Sequence, residues 1–295
     1  MQYDSIESVA RSASEAGVKI SKIVIDDQSI ELGVSASKLI ARMDLRFDTM
    51  LKAAANGVSG DSERPPLLCD GDAAAFAKFS SSGTSIGGPV IDSLVKNALS
   101  VATYNACMGK IVAAPTAGSC GILPAVLITA AEQLGKPRED IVLSLFTAGV
   151  VGMVIAARAT LSGAEGGCQA ECGSASAMAA AALVEICGGT PDDCINACAF
   201  ALKSQLGLVC DPVAGLVEAP CIKRNASGAV TAWVAADMAL AGIRSVIPAD
   251  EVIDAMKSVG DQMPACLRET SEGGIAATPT GRDIARRISG GDKKD

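Results

Sequence analysis

The chain has 295 residues, near the upper limit for one hydrophobic core, so one large domain or two closely packed ones are both compatible with its length. Hydrophobic residues make up 49% and aromatic residues only 3%, so small and aliphatic side chains must fill the interior. The formal net charge of −8 comes without any run of Lys or Arg, which argues against a nucleic-acid or anionic-membrane partner and favours small-molecule ligands.

The numbers of cysteines and histidines restrict which metal ligands and general bases this chain can provide. The sequence contains 11 cysteines and no histidine. It does not open with a basic segment followed by an apolar one, so we expect a cytoplasmic protein whose thiols stay reduced or bind metal. Any metal is then held by sulfur or oxygen, and any general base within this chain is Lys, Ser, Cys, Tyr or a carboxylate.

The N-terminal part of the chain predicts two helices and a connector. Apolar residues at helical spacing predict helices over residues 5–16 and 29–56, the second ending at Asn56-Gly57 as a C-cap would. From 57 to 88 the composition shifts to Gly, Ser, Pro and Asp, which predicts a loop-rich connector. That connector is either a substrate-facing loop or a solvated linker.

A second landmark lies between the next two predicted helices. Pro89 opens a helix that continues to about Ala106, and another begins at about Ile122. The segment between them includes the loop Pro115–Gly121, Pro-Thr-Ala-Gly-Ser-Cys-Gly. Free amides at such a junction, with the hydroxyls of Thr116 and Ser119, form a cradle for a carboxylate or phosphate. A helix N-cap without a ligand favours the same residue types, so both interpretations stay open.

The rest of the chain predicts helices only. Residues 141–157 are uncharged but shorter than the roughly 20 residues of a membrane span, so we expect a helix buried on all sides in a soluble core. No segment shows the alternation of a strand, and further helices are predicted over 174–186, 192–206, 229–246, 249–263 and 281–289. The fold class is therefore all-α, a single domain with N-terminal helices (1–56), a connector (57–88), a catalytic core (89–282) and a frayed tail (290–295).

Three cysteines are candidate metal ligands. Cys168, Cys210 and Cys221 each lie close to Gly or Pro, where the backbone can turn a thiolate inward. The sequence contains no Cys-x-x-Cys, which disfavours zinc ribbons, thioredoxin-type pairs and ferredoxin-type loops. Three loop thiolates suit a [4Fe-4S] cluster with one open iron, a Lewis acid that would help a substrate hydroxyl to leave. Isolated cysteines also occur as core thiols, so this spacing alone leaves both possibilities open.

The remaining cysteines fall into two groups. Cys120 and Cys172 lie in glycine-flanked loops near the proposed site, and their role stays undecided. Since free cysteine is among the most buried residue types, buried thiols are expected at Cys69, Cys107, Cys187, Cys194, Cys198 and Cys266.

Three long motifs resemble one known family. They are Met-Gly-Lys-Ile-Val-Ala-Ala-Pro-Thr-Ala-Gly-Ser-Cys-Gly-Ile-Leu-Pro (108–124), Gly-Ala-Glu-Gly-Gly-Cys-Gln-Ala-Glu-Cys-Gly (163–173) and Gly-Leu-Val-Cys-Asp-Pro-Val-Ala-Gly-Leu-Val-Glu-Ala-Pro-Cys-Ile-Lys-Arg-Asn (207–225). They closely resemble the α chain of the iron-sulfur-dependent, PLP-independent L-serine dehydratases, over most of residues 85–282. The resemblance implies conversion of L-serine to pyruvate and ammonia in a helical domain. It also implies a [4Fe-4S] cluster held by Cys168, Cys210 and Cys221, with no PLP.

Roles for the other candidate residues follow from their chemistry. The amides of 116–121 and Lys110 are expected to hold the substrate carboxylate, Glu165 or Glu171 the ammonium, and Lys203, Lys223 or Arg224 to tune the charge near the cluster. An exposed surface side chain is the alternative for each Lys and Glu. The catalytic candidates are Lys110, Ser119 and Lys203, and the substrate-binding candidates are Thr116, Ala117, Gly118, Ser119, Glu165, Glu171 and Arg224.

Two departures from the family pattern predict a partner. Asn196 stands where family members often carry a histidine, so the base is unnamed. A further domain of single-chain members is missing here, as in two-chain members whose smaller β chain carries a histidine-containing segment. We therefore expect a separate β chain, an oligomeric assembly and L-serine as small-molecule substrate, with no nucleic-acid or membrane partner.

Two other functions stay open on the sequence. One is an L-cysteine desulfidase of similar cluster chemistry, in which the substrate thiol replaces the hydroxyl as leaving group. The other is a non-catalytic cluster-binding scaffold that stabilises a partner or senses oxygen.

Overall fold

The centre of the fold is a helix over Ser174–Ile186 in which every residue is buried. Its sequence is rich in Ala and Ser, and such small side chains let neighbouring helices approach closely at normal packing density. Three helices surround it, over Arg138–Arg158, Pro191–Lys203 and Cys221–Leu240. The core is therefore built from closely packed helices with small side chains, as the low aromatic content of the sequence predicts.

The computed structural model describes residues 3–59 and 64–290. Within these residues no strand forms, which confirms the all-α prediction, and the β-type pairing there is an isolated bridge between Cys210 and Arg268. In chain order the helices are α1 (Ile6–Ala16), α2 (Ile20–Leu32), α3 (Ala36–Ser59), α4 (Asp72–Ser81), α5 (Gly88–Ala106), α6 (Ile122–Leu134), α7 (Arg138–Arg158), α8 (Gly163–Gly166), α9 (Ser174–Ile186), α10 (Pro191–Lys203), α11 (Cys221–Leu240), α12 (Ala249–Gln262) and α13 (Pro279–Ser289).

Helix α1 forms where it is predicted and is anchored to α12. The Ser5 hydroxyl caps it by accepting a hydrogen bond from the Ser8 amide at 3.0 Å. Ser5 Oγ also donates to Asp250 Oδ2 at 2.6 Å, and the Ile6 amide donates to Asp250 Oδ1 at 3.0 Å. The first turn of the chain is therefore tied to a residue far away in sequence.

The predicted helix over 29–56 is wrong at both ends. Helix α2 already begins at Ile20, and Gly33, with a left-handed φ of 61°, ends it before α3 starts. Gly57 is not a C-cap: it lies inside α3, buried against α5, and a side chain there would overlap the Ser100 carbonyl. The glycine therefore permits close helix–helix packing instead of ending the helix.

The predicted connector contains a helix and reaches the candidate site. Residues 72–81 form α4, and residues 60–63 lie outside the described part. The amides of Leu67 and Leu68 donate to the carboxylate of Glu218 at 3.1 and 2.7 Å, and Cys69 is buried. The interpretation as a solvated linker is therefore wrong for this segment, which packs against the chain between Cys210 and Cys221.

The remaining helix predictions hold with small shifts, with one consequential exception. Helices α5, α6, α9, α10, α12 and α13 form within a few residues of the predicted ranges. Helix α11 begins at Cys221 instead of Ala229, so a predicted loop cysteine is the first residue of a helix. Of the predicted frayed tail, residues 291–295 lie outside the described residues.

Helix α7 is long and apolar enough to cross a membrane by length and composition. In this fold, 67% of its most apolar stretch is buried inside the protein. The prediction of burial on all sides is wrong at Met153, which is 42% exposed. The helix is thus mainly a core element of the bundle.

Candidate active site

The first candidate ligand, Cys168, lies between α8 and a single π-helical turn over Gln169–Gly173 that leads into α9. Such turns occur frequently at functional sites. The sulfur atoms of Cys168 and Cys172 lie 3.4 Å apart across this turn. Cys172, which the sequence left undecided, therefore belongs to the site.

The second candidate ligand, Cys210, is held by backbone pairing to the segment before α13. Its amide donates to the Leu267 carbonyl at 2.9 Å, and its carbonyl accepts from the Glu269 amide at 2.7 Å. Glu269 and Ser271 both have a left-handed backbone, with φ of 63° and 59°. Non-glycine residues keep such a conformation where the surrounding structure over-determines it, as active sites do.

The third candidate ligand, Cys221, is the first residue of α11 and follows the cis peptide bond Ala219–Pro220. The N-terminal end of a helix favours a thiolate. Burial nevertheless raises the pKa of Cys221 to about 12, and the negative charges of Cys168 and Glu171 act in the same direction. The positive charge of Arg224 opposes these shifts without cancelling them.

The three candidate ligands share one electrostatic environment. Burial raises the pKa of Cys210, and Cys168, Glu171 and Cys221 raise it further, so these groups are close enough for their charges to interact. The pKa of Cys168 is lowered, first by the hydrogen bond to Cys172 and also by Arg224. Cys168 and Cys210 are buried and Cys221 is partly buried, so negative charge on these sulfur atoms needs a positive centre close to them, since burying unpaired charge is costly.

The three cysteines supply the type of ligand that an iron-sulfur cluster takes. Within residues 3–59 and 64–290, no group of three or more His, Cys, Asp or Glu side chains is close enough to hold one metal ion. An iron-sulfur cluster distributes its cysteine ligands over several irons, so its thiolates stand farther apart. The donor set and its charge requirement therefore fit such a cluster.

Arg224, on α11, is the positive group beside Cys168. Its Nη2 lies 2.9 Å from Asp211 Oδ1 in a largely buried ion pair, and its Nη1 donates to the Val209 carbonyl at 2.8 Å. Asp211 Oδ2 accepts from the Ile275 amide at 2.8 Å, which extends the network to the segment before α13. Arg224 is thus held by protein groups, and its binding of substrate stays a prediction.

The carboxylate of Glu171 lies between two glycine segments and Cys210. A Cβ placed on Gly163 would lie 2.7 Å from Glu171 Oε2 and 3.0 Å from Cys210 Sγ. A Cβ on Gly118 would lie 3.4 Å from Glu171 Oε1. Burial raises the pKa of Glu171, the Thr116 hydroxyl opposes this shift, and Glu269 adds to it. The two glycines let this carboxylate, a thiol and the 115–121 loop meet.

The loop over 115–121 presents unused backbone donors. Within the described residues, no group accepts a hydrogen bond from the amide nitrogen of Ala117 or Gly118. The hydroxyls of Thr116 and Ser119 lie 3.1 Å apart, and the Cys120 amide donates back to the Ala117 carbonyl at 3.3 Å. Of these two residues Gly118 lies beside Glu171, and the carboxylate cradle in this loop stays a prediction.

Lys203 and Asn196 lie together on α10 and contact the same serine. The Lys203 ammonium donates to Ser245 Oγ at 2.8 Å and lies over the Phe200 ring at 5.2 Å. The Ser245 amide donates to Asn196 Oδ1 at 2.6 Å. Both side chains join α10 to the segment after α11, and a catalytic role of Lys203 stays a prediction.

Three further charged candidates lie at the surface. Lys110 and Glu165 are exposed, and Glu165 accepts a hydrogen bond from Thr160. The Lys223 ammonium lies 2.5 Å from Asp72 Oδ2 and donates to Cys69 Sγ at 3.3 Å. None of these contacts joins them to the three candidate ligands, and their proposed roles stay predictions.

The remaining cysteines are free thiols of two kinds. The predicted burial is confirmed for Cys69, Cys194 and Cys198. It is wrong for three cysteines that are only partly buried because they lie at helix ends or in a short turn, namely Cys107, Cys187 and Cys266. Cys120 is fully buried, and burial raises its pKa to about 12.

Comparison with known proteins decides the family. The family model described as "Serine dehydratase alpha chain" matches residues 15–276, most of the chain. The chain belongs to this serine dehydratase alpha chain family. The match includes Cys168, Cys210 and Cys221, the 115–121 loop and Glu171.

Individual L-serine dehydratases are also similar to this chain over most of its length. The chain is 47% identical to the "Probable L-serine dehydratase, alpha chain" of Bacillus subtilis (strain 168), covering 98% of this chain and 96% of the relative. It is 44% identical to the "L-serine dehydratase, alpha chain" of Peptoniphilus asaccharolyticus, covering 92% and 94%. The "L-serine dehydratase 1" of Escherichia coli (strain K12) is 36% identical over 93% of this chain but only 61% of the relative.

Two site residues of this family member escaped the sequence analysis. Asp211 directly follows Cys210 and pairs with Arg224, but a single acidic residue next to a cysteine has no distinctive pattern. Asn225 lies four residues after Cys221, which places both on one helix face once α11 is known to start at Cys221. The late predicted start of α11 hid that relation.

Proposed function

We propose that this chain is the catalytic subunit of an L-serine dehydratase that converts L-serine to pyruvate and ammonia. The observation that carries the proposal is the position of the Glu171 carboxylate, beside Gly118, whose amide is unpaired, and close to Cys210. An α-amino acid has an ammonium and a carboxylate on one carbon, so it needs an acceptor and amide donors side by side. The dehydration of L-serine is proposed from the names of the relatives, which are L-serine dehydratase alpha chains.

We further propose that Cys168, Cys210 and Cys221 hold a [4Fe-4S] cluster and that PLP takes no part. When bound, the cluster supplies an iron that acts as a Lewis acid towards the substrate hydroxyl. The burial of Cys168 and Cys210, the partial burial of Cys221, the electrostatic influence of the three thiols on one another and the adjacent Arg224 support this assignment. The chain's own contribution is to anchor these thiols and balance their charge.

Substrate binding is assigned to the residues around Glu171. The amides of Ala117 and Gly118 donate to the substrate carboxylate, and the Glu171 carboxylate accepts from its ammonium. A bound ammonium favours the ionised form of Glu171, which burial alone disfavours. Loss of the α-proton and of hydroxide gives 2-aminoacrylate, which tautomerises to an imine, and hydrolysis of that imine yields pyruvate and ammonia.

A separate β chain is proposed to complete the enzyme and to supply the base. This chain has no histidine, the commonest general base. This chain matches only 61% of the Escherichia coli relative. The rest of that relative supports the idea of a second component, which is part of the same chain in that protein. We propose an oligomeric assembly of the two chains in the cytoplasm, where 11 free thiols stay reduced.

The decisive experiment measures pyruvate release by the anaerobically purified chain after reconstitution with iron and sulfide, with and without a β chain and without PLP. L-Serine and L-cysteine are compared as substrates. Cluster-dependent release from L-serine supports the proposal. Release from L-cysteine alone would favour a desulfidase, and activity of this chain alone that equals the mixture would remove the β-chain base.

Iron content tests the ligands separately from activity. Replacing Cys168, Cys210 or Cys221 with Ser should abolish iron retention after reconstitution. The matched control is Cys194→Ala, because Cys194 is about as buried as Cys168 and Cys210 but lies on α10. Loss of iron from the control as well would contradict the division between ligands and core thiols.

A further inference from the structure

Asn225 is a fully buried amide that joins the substrate loop to a cluster-ligand helix. Its Oδ1 accepts from the Gly121 amide at 2.8 Å, and its Nδ2 donates to the Gly118 carbonyl at 2.8 Å and to the Cys221 carbonyl at 2.9 Å. One side chain thus binds both ends of the Gly118–Gly121 segment and the first residue of α11.

No other group makes these connections to the loop. Within the described residues, the Gly121 amide and the Gly118 carbonyl have no hydrogen-bond partner other than Asn225. Buried backbone groups that lose their partner carry a large desolvation cost, so this pairing constrains the loop strongly. The C-terminal end of the loop also packs closely on α5, because a Cβ on Gly121 would lie 2.5 Å from the Ala98 carbonyl.

The bond to the Gly118 carbonyl also fixes the orientation of the Gly118–Ser119 peptide. A trans peptide places its carbonyl and its N–H on opposite sides. With the Gly118 carbonyl directed at Asn225, the next amide, that of Ser119, is directed away from α11. The neighbouring amides of Ala117 and Gly118 stay free, and Gly118 faces Glu171.

We propose that Asn225 is a positioning residue that sets the distance and orientation of the 115–121 loop relative to Cys221. The role rests on the proposed function, because the loop is taken to hold the carboxylate of an amino acid. Asn225 itself does not touch the substrate. It acts by fixing two elements whose relative position decides where the substrate hydroxyl lies.

The chain offers a matched control in Asn196. Its Nδ2 donates to the Asp192 carbonyl four residues earlier at 2.7 Å, and its Oδ1 accepts from the Ser245 amide at 2.6 Å. Asn196 therefore makes the same two kinds of bond as Asn225, from a helix to a neighbouring segment. The segment it holds is not the 115–121 loop.

The first test follows hydrogen exchange in the full chain without cluster or substrate. In Asn225→Ala, amide exchange should accelerate on the order of tenfold, both in peptides over 115–122 and in the first turn of α11, because both lose the same partner. In Asn196→Ala, acceleration should be confined to the region around Ser245. Unchanged exchange over 115–122 in Asn225→Ala would overturn the proposal.

The second test uses the reconstituted complex of this chain with the β chain. Asn225→Ala should raise the KM for L-serine on the order of tenfold and change kcat less, with iron content unchanged. A purely structural defect would lower the amount of active enzyme at unchanged KM, as expected for Asn196→Ala. An unchanged KM in Asn225→Ala, together with faster exchange, would overturn the positioning role.

A second substitution keeps the test valid if Asn225→Ala fails to fold. Asn225→Asp retains the acceptor for the Gly121 amide but replaces the donor with an oxygen that faces the Gly118 and Cys221 carbonyls. It should raise KM in the same direction, and a wild-type KM in a folded Asn225→Asp would overturn the proposal. If the unmodified complex releases no pyruvate from L-serine, the proposed function fails, whereas the exchange experiment still decides whether Asn225 couples the two segments.

Discussion

The substitution Gly163→Ala should change the geometry of the candidate site without changing the stability of the fold. Gly163 has no positive φ, so alanine is allowed by the backbone, and only its new methyl group matters. That carbon would lie 2.7 Å from Glu171 Oε2, where 3.4 Å is an ordinary contact. The difference, 3.4 − 2.7, requires a displacement of about 0.7 Å. Cys210 Sγ, at 3.0 Å, needs to move only a few tenths of an ångström.

The expected result is a loss of activity without a loss of fold. The Glu171 carboxylate ends a flexible side chain and can rotate away, so strain costs about 1 kcal/mol. Replacing glycine in a helical turn returns up to ~1 kcal/mol, which leaves the unfolding free energy nearly unchanged. A 1 Å misplacement of a binding group costs about 100-fold, so kcat/KM for L-serine should fall roughly 10- to 100-fold, mainly through KM.

The control is Gly149→Ala in α7, where an added Cβ meets no atom within 4 Å. It should raise the unfolding free energy by about 0.5–1 kcal/mol and leave kcat/KM unchanged. The assays are urea unfolding, iron content and steady-state pyruvate release from the complex with the β chain. Wild-type kcat/KM in Gly163→Ala would refute the placement of Glu171, and loss of iron would show that Cys210 takes up the strain.

Three further predictions use other contacts. Glu171→Gln keeps the size but removes the charge, so the KM for L-serine should rise roughly 10- to 100-fold in steady-state assays; an unchanged KM would exclude it from ammonium binding. Thr190→Ala breaks the capping box of α10, in which Thr190 Oγ1 accepts from the Asp193 amide at 3.2 Å and the Asp193 carboxylate accepts from the Thr190 amide at 2.9 Å. Its urea midpoint should shift by the equivalent of about 1 kcal/mol, and no shift would mean that water replaces the cap. Gly57→Ala should cost about 3 kcal/mol or more in the same assay, because its methyl group overlaps the Ser100 carbonyl; a stabilised variant would contradict the close packing of α3 on α5.

The positions of Cys168, Cys210 and Cys221 illustrate what could be predicted and what could not. The sequence singled out all three as candidate ligands, since glycine and proline beside cysteine are visible as residue types, and their role as ligands stays a prediction. It misjudged Cys221 as a loop residue, because helix-start signals in 218–222 are weak and the proline before it is compatible with a loop as well as with a helix start. The relation between Cys172 and Cys168 depended on a π-helical turn, which has no sequence signature of its own.

What the sequence by itself determined was local. Periodicity predicted the all-α class and most helix ranges, the composition argued against nucleic-acid partners, and the absence of histidine restricted the bases available in this chain. These properties depend on neighbouring residues or on residue counts, so they can be read before the chain folds.

Only the tertiary structure decided which distant groups meet. Gly57, predicted as a helix cap, is a packing contact, because α5 lies against it. The predicted connector lies next to the candidate site, because the Glu218 carboxylate accepts hydrogen bonds from its backbone. Gly118 lies beside Glu171, and Asn225, about a hundred positions later in the sequence, holds the 115–121 loop. Contacts of such sequence separation arise from the packing of whole helices, and no local pattern encodes them.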